Sequence, residues 1–123
     1  MTPYCSNIKT SYPKSWEKLR KWGTDEANKI VDIVKNSIPP EEAFEIDYLP
    51  ELKDEELDGM ITFYTRRLYD FFDINHIYIY AGMDEHNGFA EVNEELPGFT
   101  APTRAEAEEE AFKQAFKILE EKL

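Results

Sequence analysis

The run Ile77-Tyr78-Ile79-Tyr80 constrains this chain more than any other stretch. Four consecutive β-branched or aromatic residues favour a pleated, half-buried surface over a helix. Phe89-Ala90-Glu91-Val92 follows a connection ending in the turn dipeptide Asn87-Gly88, and the two runs together predict an antiparallel hairpin. A hairpin alone is at best marginally stable in water, so its apolar face needs a second layer. The rest of the sequence offers mainly helices for that purpose.

The clearest helix is the last. Thr103 and Glu106 have capping-box spacing, and Phe112, Ala115, Phe116, Leu119 and Leu123 form one apolar stripe. Residues 53–73 predict the longest helix. Asp54, Glu55 and Glu56 favour its start, and Leu57, Met60, Ile61, Tyr64, Leu68, Phe71 and Phe72 face one side. Gly59 weakens it locally, and Asn75 is its expected stop. Upstream, Ser15 to Gly23 predicts a short helix carrying Trp16, Leu19 and Trp22. Thr24 is the expected cap of a second, with Ala27, Ile30, Val31, Val34 and Ile38 on one face, stopped by Pro39-Pro40. Phe44, Ile46 and Tyr48 alternate with Glu45 and Asp47, the spacing of a strand with one buried face. A helical turn after Pro40 is the competing reading. Residues 1–13 hold Pro3 and Pro13 and no helical period, which predicts an extended leader, and a loop with Pro97, Gly98 and Pro102 precedes the last helix. The predicted architecture is a single α+β domain over residues 1–123. A small, mostly antiparallel sheet of two or three strands is packed by about four helices, in the order α-α-β-α-β-β-α.

With 123 residues the chain suits one domain. It carries 14 basic against 26 acidic residues, a net charge of −12, which argues against non-specific binding to nucleic acid or to anionic membranes. A hydrophobic content of 41% is too high for a disordered polyanion. No apolar run is long enough to span a bilayer, and the first residues lack a secretory signal. The lone Cys5 forms no internal disulfide, and a cytoplasmic setting is expected. The charge is also lopsided. Residues 1–35 hold seven basic and four acidic groups, whereas residues 36–123 hold seven and twenty-two.

Chemistry is harder to find. Asp84-Glu85-His86-Asn87, with His76 upstream, is the one dense polar group, and carboxylate plus imidazole is a metal-binding or proton-relaying combination. One loop supplies too few converging ligands, and a calcium loop would require glycine where Phe89 stands, so a polar turn is expected. Cys5 has no histidine near it in sequence, and no nucleophile elbow, phosphate loop or dinucleotide fingerprint occurs. No catalytic residue, metal or cofactor is therefore predicted. Lys9, Lys14, Lys18 and Lys21 interleave with Tyr12, Trp16 and Trp22, a mixture able to contact phosphates and stack on bases. The whole-chain field favours tryptophans packed in the core instead. The candidate partner-binding residues are Glu41, Glu42, Glu45, Asp47, Glu51, Asp54, Glu55, Glu56 and Asp58, nine carboxylates opposed only by Lys53. Such a density could present charge to a basic groove as a nucleic-acid backbone does.

The hairpin from Ile77 to Val92, the stretch Phe99-Thr100-Ala101-Pro102-Thr103-Arg104-Ala105-Glu106-Ala107-Glu108 and the helix through Leu119 together resemble small uncharacterised proteins of bacteriophages and prophages. The resemblance implies a setting, an accessory protein made inside a bacterial cell by a mobile element, and carries over no functional residue. The expected function is non-catalytic binding to a host protein with a basic surface. Its sharp form is inhibition of a nucleic-acid-handling or defence enzyme by nucleic-acid mimicry, without direct contact to nucleic acid or membrane. The alternatives are a self-associating structural or regulatory domain, and a small metal-dependent enzyme using Asp84, Glu85 and His86.

Overall fold

A computed structural model describes residues 1–94 and 98–123; the expected loop residue Pro97 lies outside them. Five helices precede a hairpin-linked sheet and a sixth follows it. They are α1 (Pro3–Ser11), α2 (Pro13–Asn36), α3 (Pro40–Ala43), α4 (Asp54–Phe63), α5 (Arg66–Ile74), β1 (Ile79–Met83), β2 (Gly88–Val92), β3 (Phe99–Ala101) and α6 (Arg104–Lys122). The fold is α+β, with one three-stranded antiparallel sheet in the order β1-β2-β3.

The hairpin forms where the β-prone runs predict it, with Ala81 opposite Ala90. Helix α6 lies across one face of the sheet. Its Ala107, Ala111 and Ala115 allow close approach, and Phe112, Phe116 and Leu119 fill the space beneath. Thr103 caps it as expected, its hydroxyl oxygen accepting from the Glu106 N–H at 3.3 Å. Gly88 sits where a Cβ would come within 2.2 Å of the Thr103 carbonyl carbon, so only glycine lets β2 pass the start of α6. The core joins this layer to Leu57 and Ile61 of α4, Leu68, Phe71 and Phe72 of α5, and Trp16 and Leu19 of α2. Truncating a fully buried ring such as Phe72 or Phe116 would cost about 3–5 kcal/mol.

Four expectations about local structure need correction. The leader is helical rather than extended. Thr2 caps α1 by accepting from the Cys5 N–H, Pro3 occupies the first turn with its φ preset, and Cys5 and Ile8 are buried. The two helices expected around Gly23 are one. Thr24 does not cap: its hydroxyl donates back to the Arg20 carbonyl at 2.8 Å and accepts from the Leu52 N–H. Gly23 is buried inside α2, where Leu52 and Met60 approach its backbone. The helix expected over 53–73 is broken at Tyr64 and Thr65, inside Thr62-Phe63-Tyr64-Thr65, a run of poor helix formers that lets Tyr64 leave helical geometry at φ −133°. No strand forms at 44–48. The N–H groups of Glu45 and Ile46 turn back to the Glu42 and Ala43 carbonyls, and the Asn28 side chain of α2 bonds both the N–H (2.7 Å) and the C=O (3.2 Å) of Leu49. The face expected to be buried is open: Phe44 is 88% exposed.

Candidate functional site

Helix α2 runs for 24 residues, about 36 Å at 1.5 Å per residue. Its first half is core, with Ser15, Trp16, Leu19 and Gly23 buried. From Thr24 through Glu56 no residue is buried. The second half of α2, α3 and the returning segment 44–53 thus form an arm held largely by its own contacts. The Tyr48 hydroxyl donates to Asp32, the Lys35 ammonium lies 4.6 Å from the Tyr48 ring centre, and Asn28 holds Leu49.

The arm leaves Ile30, Ile33, Val34, Phe44, Tyr48 and Leu49 exposed. At its base a groove of about 380 Å³ opens between Ala27 and Ile30 of α2, Met60 of α4 and Tyr64 at the break after α4, rimmed by Glu26 and Arg67, themselves 3.5 Å apart. Scattered exposed apolar residues are ordinary on any protein surface. Here six such residues lie on one arm beside a groove.

The nine predicted carboxylates divide here into two kinds. Glu41 and Glu42 in the first turn of α3, Glu45, Asp47, Glu51 and Glu55 are exposed and have no ion pair among the described residues. The other three hold the fold together. Asp54 accepts from the Lys9 ammonium, the Trp16 indole N–H at 2.9 Å and the Arg20 guanidinium, and these donors, Lys9 foremost, hold its carboxyl well below the usual range. Glu56 accepts from the Lys53 N–H at the start of α4. Asp58 is buried and accepts from the N–H and hydroxyl of Thr2 and the hydroxyl of Thr62. Burial pushes its carboxyl up, but the bonds, with Thr2 first, bring it below normal. Asp54 and Asp58 therefore fasten α1 and α2 to α4 and are not free to meet a partner.

Other candidate chemistry has structural duties as well. The Asp84 carboxylate accepts from the N–H groups of His86 (2.8 Å) and Asn87 (2.7 Å), an Asx turn closing the hairpin connection, and both bonds lower its carboxyl. Glu85 and His86 are exposed, and His76 sits at the opposite end of β1 beside Tyr78. Among the described residues no three His, Cys, Asp or Glu gather as a metal-binding group. Trp16 is fully buried, Trp22 packs on Phe71 and Tyr12 stacks on Phe116, so the aromatics of the basic segment serve the core. No helix among the described residues is long and apolar enough to cross a membrane.

The exposed apolar side chains of the arm are what sequence reasoning missed. A signal was present: Ile33 falls outside the stripe of Ile30, Val31 and Val34, so apolar residues occupy more of the helix circumference than one buried face requires. Fold and surface together define the chain as an α+β protein with an acidic, apolar arm. Compared with family models, curated proteins and solved structures, it gives no match in any of the three.

Proposed function

We propose that this is a non-catalytic binding protein whose arm docks on a partner protein through a basic surface with an apolar patch at its centre. The observation that carries the reading is that Ile33, Val34, Phe44 and Tyr48 and the carboxylates Glu41, Glu42, Glu45 and Asp47 are all exposed on the same arm. Buried apolar and aromatic anchors supply most of the affinity of an interface, while rim charges steer encounter and select the partner. Competition with nucleic acid for a basic groove, in an accessory protein made within a bacterial cell, is the sharp form of the same reading. The apolar anchors distinguish it from mimicry by charge alone, because they predict affinity that survives salt.

The test is capture from bacterial lysate at low and high salt, with two arm variants. Ile33→Asp/Phe44→Asp should lose the partner at both salts. Reversing Glu41, Glu42, Glu45, Asp47, Glu51 and Glu55 to Lys should lose it mainly at low salt, because screening already removes that contribution at high salt. A partner that both variants retain, or an empty capture at both salts, overturns the proposal.

A further inference from the structure

The free edge of the sheet carries a second, independent inference. The Asn93 N–H donates to the Tyr78 carbonyl at 2.7 Å and the Asp84 N–H to the Asn87 carbonyl at 2.9 Å, flanking the β1–β2 ladder at its two ends. Antiparallel pairing alternates, so Tyr78, Tyr80, Gly82 and Asp84 turn their backbone groups toward β2, and Ile79, Ala81 and Met83 turn theirs outward. Those outward N–H and C=O groups have no partner among the described residues.

Beside this edge lies a groove of about 490 Å³ whose other wall is α5. Its shape follows from helix packing. Helix α6 covers β2, and α5 packs next to α6, with Tyr69 edge-on to Phe112 at 5.2 Å and Phe72 against Phe112 and Phe116. Tyr69, Asp70 and Asp73 of α5 line this groove together with Ile79, Tyr80 and Ala81 of β1.

Charge along the groove is polar. Asp70 and Asp73 lie toward the Ile79 end, because α5 leads into β1 through four residues there; Arg66 and Arg104 lie toward the Met83 end, with Arg104 already paired with the Glu108 carboxylate at 2.9 Å. We infer that the β1 edge binds an extended segment of a partner protein by strand addition, with a cationic side chain of the segment against Asp70 and Asp73 and an anionic group against Arg66. Backbone bonds to Ile79, Ala81 and Met83 supply affinity, and the charged ends set the sequence preference.

The test uses a displayed heptapeptide library selected on the whole protein. Enriched peptides should carry Lys or Arg toward one end and Asp or Glu toward the other. Adding one of them as a synthetic peptide should slow amide exchange at Ile79, Ala81 and Met83 at least tenfold and leave Ala90, already paired with β3, unchanged. Ala81→Pro removes an outward donor and should weaken that peptide at least tenfold. If this variant fails to fold, Asp73→Lys decides instead: it should weaken the peptide at least threefold and favour peptides with the opposite charge at that end. No enrichment, peptide binding unchanged in folded Ala81→Pro, or unchanged in Asp73→Lys where Ala81→Pro does not fold, or protection of the three amides by dimer formation alone overturns the inference.

Discussion

Asp54 should be the most costly exposed-looking carboxylate to remove. Its side chain is 22% exposed, yet it joins Lys9 of α1, Trp16 and Arg20 of α2 and the first turn of α4. In Asp54→Ala the Trp16 indole N–H, on a fully buried residue, loses its acceptor, which costs about 1–3 kcal/mol. Arg20, 12% exposed, keeps Glu17 and the Leu52 carbonyl but loses its closest anion. The favourable charge at the start of α4 is worth about 0.3–1 kcal/mol more. The sum is about 3 kcal/mol, and Glu55→Ala, one residue on and without a partner, should lose only the helix-start contribution, at most about 1 kcal/mol. Unfolding entropy of about 2.1 cal/mol/K per residue converts 3 kcal/mol to a Tm drop of about 12 °C for 123 residues. Urea unfolding at pH 7 followed by tryptophan fluorescence measures both variants. The pH dependence has a defined sign. With the folded carboxyl held below its unfolded value of about 3.9, the stabilisation is complete above that pH and fades as pH falls toward the folded value. Asp54→Asn should therefore lose stability at pH 7 and lose less than wild type between pH 5 and pH 2. A cost below about 1 kcal/mol for Asp54→Ala would refute the fastening role.

Two glycines should respond in opposite directions. Gly59→Ala has nothing within 4 Å of the new methyl and sits inside α4, so it should stabilise by about 0.5–1 kcal/mol, whereas Gly88→Ala meets backbone at 2.2 Å and should lose several degrees of Tm or fail to fold; paired thermal melts check both. Burial raises the Cys5 thiol to about 12, so a thiol reagent at pH 8 should label it only as fast as the protein opens; labelling of the native protein as fast as that of a free thiol would contradict the packing of α1.

The elements legible in the sequence are those whose signal is local. The hairpin announces itself through Ile77-Tyr78-Ile79-Tyr80 and Asn87-Gly88, and α6 through Thr103 and Glu106. What stayed hidden depended on contacts across the chain. Gly23 reads as a stop until Leu52 and Met60 are seen to need its missing side chain, and Thr24 reads as a cap until Leu52 is seen to use its hydroxyl. Thr2-Pro3 already has the form of a helix start, but α1 is fastened by Asp58, fifty-six residues away. The nine carboxylates look alike in sequence, and only the positions of Trp16, Arg20 and Thr2 separate Asp54 and Asp58 from the exposed six. The open face of Phe44 and Tyr48 was misread because alternation implies a buried side without saying that anything covers it.

The division of α2 at Gly23 also bears on how this protein can change. Core positions such as Trp16 and Leu19 are bound by the volumes of their neighbours, and most replacements there lose stability. Between Thr24 and Tyr48 no side chain is bound in that way. Substitutions there can redraw the recognition surface while the body keeps its shape, so related chains facing different partners should diverge fastest along this one stretch.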